Sequence, residues 1–368
     1  MPQNLNENPS YLCQQLITYI GNKRSLLPLI EEGLCLIQKQ MKKTRLSIAD
    51  LFSGSGITAR FFKKYAHTLH VNDLEDYARI INECYLSNED DIDFHALHSH
   101  HQALCTKLSD LPLKEGIITQ LYAPKNDQKI LPGERVFYTR RNAQYLDTAR
   151  QYIFTLPASI QPFFLAPLLS EASIHANTSG VFKGFYKNAR GIGQFGGKAQ
   201  NALQRITGDI TLPFPVFSRF SSHVHIYQQD ANTLASQLEN IDIAYLDPPY
   251  NQHPYGSNYF MLNLLVNYKN PKNISRVSGI PKDWNRSDYN RKKYACATLR
   301  DLCAALKAKY LMISFNSEGF IQKEEMEAML GELGTVITLK QDYPAFRASR
   351  NLHNRNIYVK EYLYIVRK

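Results

Sequence analysis

The chain has 368 residues, of which 43 are Lys or Arg and 33 are Asp or Glu, for a formal charge of +10. With 44% hydrophobic and 21% charged residues it is a folded globular chain, long enough for two units or for one domain carrying a large insertion. No apolar run approaches the roughly 20 residues that a membrane span needs, and the polar start Met1–Asn8 is no signal peptide, so a cytoplasmic protein without membrane contact is expected.

The six cysteines form no Cys-x-x-Cys pair and read as reduced, mostly buried thiols. The basic excess is modest; it favours a polyanionic partner and is equally consistent with simple solubility.

Taken in order, a short β-branched and aromatic piece at Leu16–Ile20 meets Gly21 and a basic turn containing Lys23, then a helix running to about Lys42. By itself this is an ordinary strand-turn-helix with Lys23 in solvent. The next segment changes its weight. An apolar strand from Leu46 carries Asp50 and Phe52 into Gly54-Ser55-Gly56, and a helical run Ile57–Lys64 follows. Two glycines after a first strand let a ligand approach the backbone at a helix N-terminus, although the full dinucleotide fingerprint is absent. A second strand, His67–Asp73, ends in an acid that either caps the next helix, Glu75–Leu86, or binds ribose hydroxyls. The order strand, glycine turn, helix, strand, acid favours the ligand.

Between Asn88 and Ser222 the strand-helix alternation is lost. His95, His98, His100 and His101 have no acid or cysteine companion at ligand spacing, so a solvated helix face is expected and no metal. Ser173–Lys198 is rich in glycine, amides, basic residues and aromatics, and Val181–Arg219 holds six basic residues against one acid. Such a loop suits phosphate contacts and groove reading. Alternation resumes at His223–Asp230, a third strand ending in an acid, followed by a helix over Ala231–Leu238.

The most specific stretch comes next: an apolar strand, Ile241–Leu246, running into Asp247-Pro248-Pro249-Tyr250. A carboxylate, a stiff backbone carbonyl and a ring face are the parts needed to hold a planar nitrogen base. The chain closes with a polar, aromatic loop (Asn251–Phe260), a basic loop (Lys272–Lys293) with the only Trp, Trp284, and a helix, Tyr294–Ala308. A strand at Tyr310–Phe315, a helix near Glu324–Gly331 and two β-rich runs, Thr335–Tyr343 and Asn356–Val366, complete it. Between those runs, Phe346–Asn351 is a basic turn that either touches phosphate or sits in solvent. Strand ends bearing Gly54 and Gly56, Asp73, Asp230 and Asp247 would share one edge of an open α/β sheet, where ligands bind.

In this combination the sequence resembles the Dam-type family of N6-adenine DNA methyltransferases, over most of its length except parts of Asn88–Ser173. The resemblance implies an α/β, Rossmann-like S-adenosylmethionine-dependent fold: a mostly parallel sheet with a terminal antiparallel hairpin and an inserted target-recognition region. The methyltransferase domain would occupy residues 1–88 and 223–368, interrupted by the insertion at 89–222. Carried over, Tyr19 and Lys23 match the N-terminal motif, with Tyr19 standing where Dam members have Trp. Asp50, Phe52, Gly54 and Gly56 match the S-adenosyl-L-methionine loop, Asp73 the ribose acid and Asp230 an adenine-moiety contact. Asp247, Pro248 and Tyr250 match the catalytic motif, Asp247 also facing the cofactor.

The implied partners are double-stranded DNA with a specific adenine target and a possible cognate restriction endonuclease. An RNA amino-group methyltransferase and a catalytically inactive DNA-binding module are the rival readings. Cytosine N4 enzymes usually carry Ser, and protein-glutamine enzymes Asn, at the position of Asp247.

Overall fold

Five consecutive residues, Leu46–Asp50, form β1 and are buried along its whole length, as in a strand covered on both faces. In the computed structural model, which describes residues 6–197, 200, 202–344 and 358–368, β1 is an inner strand of a seven-stranded sheet. Its companions are β2 (Ala66–Asn72), β3 (His223–Tyr227), β4 (Ile241–Leu246), β5 (Ala308–Asn316), β6 (Thr335–Pro344) and β7 (Tyr358–Arg367). The order is β3-β2-β1-β4-β5-β7-β6. β1 to β5 pair in parallel, and β7 runs antiparallel to both β5 and β6. The order reverses between β1 and β4, so the glycine turn after β1 and the Asp247 motif after β4 are neighbours at a topological switch point.

Helices cover both faces of the sheet. On one face, Leu27–Met41 and Ile57–Phe62 pack Ile30, Leu34 and Phe62 against Ile48, Tyr245 and Leu363. On the other, Ala231–Ala235, Lys292–Ala305 and Lys323–Gly331 pack Leu234, Leu299 and Met326 against Ala244, Leu311 and Val366. Observed element ends fall within a few residues of the sequence expectation. The third strand stops three residues early, at Tyr227, and Asp230 caps the following helix; that helix and the one at Lys292–Ala305 also end three residues before the expected positions.

Two expectations need correction. Leu16–Ile20 is no strand; it is irregular, with a bend at Ile17 and a turn at Ile20. Two of its amides are taken by side chains, Thr18 N–H donating to Ser173 Oγ (3.0 Å) and Ile20 N–H to the Tyr259 hydroxyl (2.8 Å), in place of ladder bonds. The histidines, read as a solvated helix face, are only partly that. They stand on the helix Phe94–Ser109, where His98 stacks on Phe214 (ring centroids 4.1 Å) and His101 contacts the Leu212 carbonyl at 3.1 Å.

Residues 89–222 are built from helices, chiefly Phe94–Ser109, Arg140–Ile153 and Gln161–Ile174. Their core is continuous with that of the helix Asp76–Tyr85, which follows β2, and of Phe260–Asn267, which follows the Asp247 motif. Arg150 ties the join, donating from Nε and Nη2 to the Leu265 (2.7 Å) and Val266 (2.8 Å) carbonyls at the end of that last helix. The Phe346–Asn351 turn and Lys198 lie outside the described residues.

Candidate active site

The N-terminal segment lays Tyr19 across the mouth of the sheet. Its ring stacks on Tyr255 (5.0 Å, 25°) and Tyr259 (4.9 Å, 23°), and its hydroxyl lies 3.3 Å from that of Tyr77. Gly54 fits beneath. A Cβ there would sit 2.7 Å from the Tyr19 ring, and its φ of +52° is one that L side chains rarely adopt. The turn is held from β2: Asp73 Oδ2 accepts from Gly54 N–H (2.8 Å) and Oδ1 from Glu75 N–H (2.9 Å). Gly56, at φ +74°, starts the Ile57–Phe62 helix.

Behind this turn the carboxylates converge. Asp50 is opposite Tyr245 in the β1–β4 register, and burial, with Asp247 adding to it, holds its carboxyl well above the ordinary range. Burial also raises Asp73, against the N–H groups that bond it. Asp247 is pushed up to about 6, by burial first, with Lys23 opposing and Glu361 adding to the shift. The buried Lys23 ammonium lies 3.1 Å from Asp247 Oδ1 and 3.7 Å from Glu361 Oε2. Burial would strip its proton, but the two carboxylates outweigh that and keep it charged well past its usual range. Glu75 is pushed up to about 8 by burial, against donation from the Asn263 and Asn285 amides.

Two cavities meet at this cluster. The first, about 690 Å³, is lined by Tyr19, Phe52, Asp73, Asp230, Asp247 and Tyr289, among others. Phe52 stands edge-on to Tyr289 (5.1 Å, 81°), and Asp230 also caps the Ala231–Ala235 helix through Thr233 N–H (3.0 Å). A cleft lined by Asp73, Glu75, Asp230 and Asp247 and by an aromatic wall suits a cationic ligand bearing a nucleoside. The second cavity, about 680 Å³, is lined by Gly21, Lys23, Tyr250, Asn316 and Glu361, and Tyr19 borders both. Tyr250 packs edge-on against Phe315 (5.8 Å, 66°) and lies 5.7 Å from Lys23 Nζ.

Of the residues singled out in the sequence, Tyr19, Phe52, Asp73, Asp230 and Asp247 line the first cavity, and Lys23 and Tyr250 the second. Asp50, Gly54, Gly56 and Pro248 line neither; Asp50 is fully buried behind the glycine turn. The sequence reading missed Glu75, Tyr255, Asn285, Tyr289 and Glu361. Glu75 was within reach, two residues past an acid already singled out. Asn285 and Tyr289 come from the basic loop, and Glu361 from β7, so only the fold brings them in. Among the described residues no three His, Cys, Asp or Glu side chains gather as a metal site, and no helix is long and apolar enough to cross a membrane.

Basic and aromatic groups lie beyond the cavities. The Ser173–Gly197 segment forms a tight turn bridged between Lys187 and Gly193, with Asn177 accepting from Gly196 N–H (3.0 Å) and donating to the Val136 carbonyl (2.7 Å). This leaves Lys183, Lys187 and Arg190 exposed. In the basic loop 272–293, the Arg286 guanidinium lies 4.2 Å from the Trp284 ring.

The sequence profile of the D12 class N6 adenine-specific DNA methyltransferases matches residues 19–329. The chain is 28% identical over 363 residues to the type II methyltransferase M.NlaIII of Neisseria lactamica, an alignment covering 96% of this chain and 99% of that one. To the type II methyltransferase M.CviAII of Paramecium bursaria Chlorella virus 1 it is 29% identical over 363 residues, covering 95% and 98%. To the modification methylase StsI of Streptococcus sanguinis it is 27% identical over 368 residues, covering 95% of this chain and 52% of that one.

Proposed function

Because the chain belongs to the D12 class N6 adenine-specific DNA methyltransferases, we propose that it methylates the N6 amino group of one adenine within a specific duplex DNA sequence, using S-adenosyl-L-methionine. The observation that carries this reading is the place of Asp247: it ends β4 beside β1, lines the carboxylate cleft, and touches through Lys23 the cavity that Tyr250 lines.

The cofactor's place is the first cavity. Asp73 would hold the ribose, Phe52 and Asp230 the adenine moiety, and Tyr19 closes the cleft above Gly54. When bound, S-adenosyl-L-methionine supplies an electrophilic methyl group on a sulfonium. The rest falls to the protein. An exocyclic amine conjugated to its ring is a weak nucleophile, so its lone pair has to be freed. The Asp247 carboxylate and the Pro248 carbonyl accept its two N–H bonds and favour the pyramidal geometry. Holding nitrogen and methyl in line supplies up to roughly 7–11 kcal/mol in the best cases.

The target leaves the duplex to enter the second cavity, at a cost of a few kcal/mol. Tyr250 stacking against the base returns about 1–3 kcal/mol of it. The helical insertion at 89–222, with its exposed Lys183, Lys187 and Arg190, reads the surrounding sequence, and Trp284 and Arg286 approach the strand from the other loop. Relatives named as type II and modification methylases point to a cognate restriction endonuclease as partner.

The test is to incubate the protein with labelled S-adenosyl-L-methionine and methylation-free genomic DNA and to map the modified bases. N6-methyladenine at one repeated sequence is expected, Asp247→Ala abolishing it in a folded protein. Tyr250→Ala should lose transfer by a hundredfold or so while cofactor affinity stays within about threefold, as fits a residue of the second cavity. Label on RNA alone would replace DNA by RNA as the substrate. Cofactor binding with label on neither would leave a binding module.

A further inference from the structure

β7 brings to the site a carboxylate that no motif announces. Glu361 is buried, opposite Asn316 of β5 and Gln341 of β6, and borders the cavity that holds Tyr250. Its Oε2 has no hydrogen-bond partner, nor does the Lys23 ammonium meet hydrogen-bond geometry, although 3.7 Å separates the two and 3.1 Å separates Lys23 Nζ from Asp247 Oδ1. One ammonium is therefore divided between two carboxylates. Coulomb attraction falls only as the inverse of distance, so the longer pair keeps most of the strength of the shorter.

We propose that Glu361 is a positioning residue for methyl transfer: by drawing on the Lys23 ammonium, it leaves the Asp247 carboxylate electron-rich and able to accept the N–H of the target amine. This rests on Asp247 being the acceptor, as set out above. With Glu361 neutral, the whole charge of Lys23 bears on Asp247 and its lone pairs are spent on the lysine. With Lys23 gone, two buried carboxylates repel and one takes up a proton. With all three present the cluster carries a net charge of one electron, the complement of a cationic methyl donor and of the positive charge that passes to nitrogen.

The other titratable groups around the cluster are Asp50 on β1, Tyr245 on β4, Tyr19, Tyr250 and Tyr255, and Glu318 just past β5, which lines the same cavity. Burial holds the Tyr245 and Tyr255 phenols neutral and raises Asp50; the charges that act on the Asp247 carboxylate, at about 6, are those of Lys23 and Glu361.

The experiment is single-turnover methylation of duplex DNA carrying the recognised site, followed from about pH 5 to about pH 9 for the full chain and for Glu361→Gln and Glu361→Asp. The wild type should lose rate below about pH 6. Glu361→Gln should move that limb down by about one pH unit or more and lower the plateau about tenfold, with cofactor affinity within about threefold. Glu361→Asp, which keeps the charge, should hold the limb near the wild-type position. An unmoved limb, or a plateau equal to the wild type, in Glu361→Gln overturns the role, as does an equal shift in Glu361→Asp. Should Glu361→Gln give no cooperative melt, Glu361→Asn is read by the same criteria. A wild type that methylates no DNA overturns the functional assignment; an active wild type matched by Glu361→Gln overturns only the role of Glu361.

Discussion

Gly54 answers to two neighbours at once, a backbone angle of +52° and the Tyr19 ring where its Cβ would be. Gly54→Ala should therefore weaken S-adenosyl-L-methionine binding at least tenfold by calorimetry. It should also lower the melting temperature by several degrees, since left-handed backbone costs an L-residue about 1–2 kcal/mol. The Asp247 carboxylate gives a second residue-scale prediction. It accepts hydrogen bonds from the amine only when ionised, and burial lifts it to about 6. Transfer should be flat above that pH and fall about tenfold per unit below it, measured in single turnover with cofactor saturating.

At this scale the sequence was legible where chemistry is packed into a few adjacent residues. Asp247-Pro248-Pro249-Tyr250 and the glycine turn needed no fold to be noticed. The individual roles were less so: Asp50 and Gly56 face no cavity, and Asp50 is fully buried behind the turn.

Among the elements, the parallel strands were legible because each is an apolar or alternating run that a polar residue closes or follows within a few positions, and the helical residues 89–222 were not. Their helix Ile117–Tyr122 has a glycine, not a capping side chain, ahead of it. The cap comes from 30 residues away or so in sequence: the buried Asp147 accepts from the N–H groups of Gly116 (2.8 Å), Ile118 (3.0 Å) and Thr119 (2.8 Å), and from the Tyr268 hydroxyl (2.6 Å). No periodicity reveals such a partner. Asp147→Ala strands these buried donors and should destabilise the protein by about 3–5 kcal/mol in urea unfolding, on the scale of a broken buried charged network. The Leu16–Ile20 segment misled for a related reason. Its β-branched residues suit a strand, but Ser173 and Tyr259 supply the bonds a ladder would have made.

For the molecule as a whole, the sheet order makes neighbours of β1 and β4, and hence of the two motifs, a pairing the α/β pattern allowed but did not dictate. The charge of +10 and the exposed basic side chains of the insertion lead to a salt-dependent affinity. On the reading that Lys187 meets a phosphate, Lys187→Ala should weaken binding alike on specific and nonspecific duplexes and reduce the slope of log affinity against log salt by about one, by fluorescence anisotropy.

The place of β7 has its own outcome. It follows every other strand in sequence, yet it is threaded between β5 and β6, and its Glu361 stands against Lys23 from the opposite end of the chain. On a ribosome, the rest of the second cavity's wall leaves the exit tunnel before the strand that completes it, and a contact across so long a separation as Lys23 to Glu361 forms late. A nascent chain halted before Tyr358 would carry every motif and still lack its finished centre, so modification of a genome would wait on completed translation and not on the appearance of the motifs.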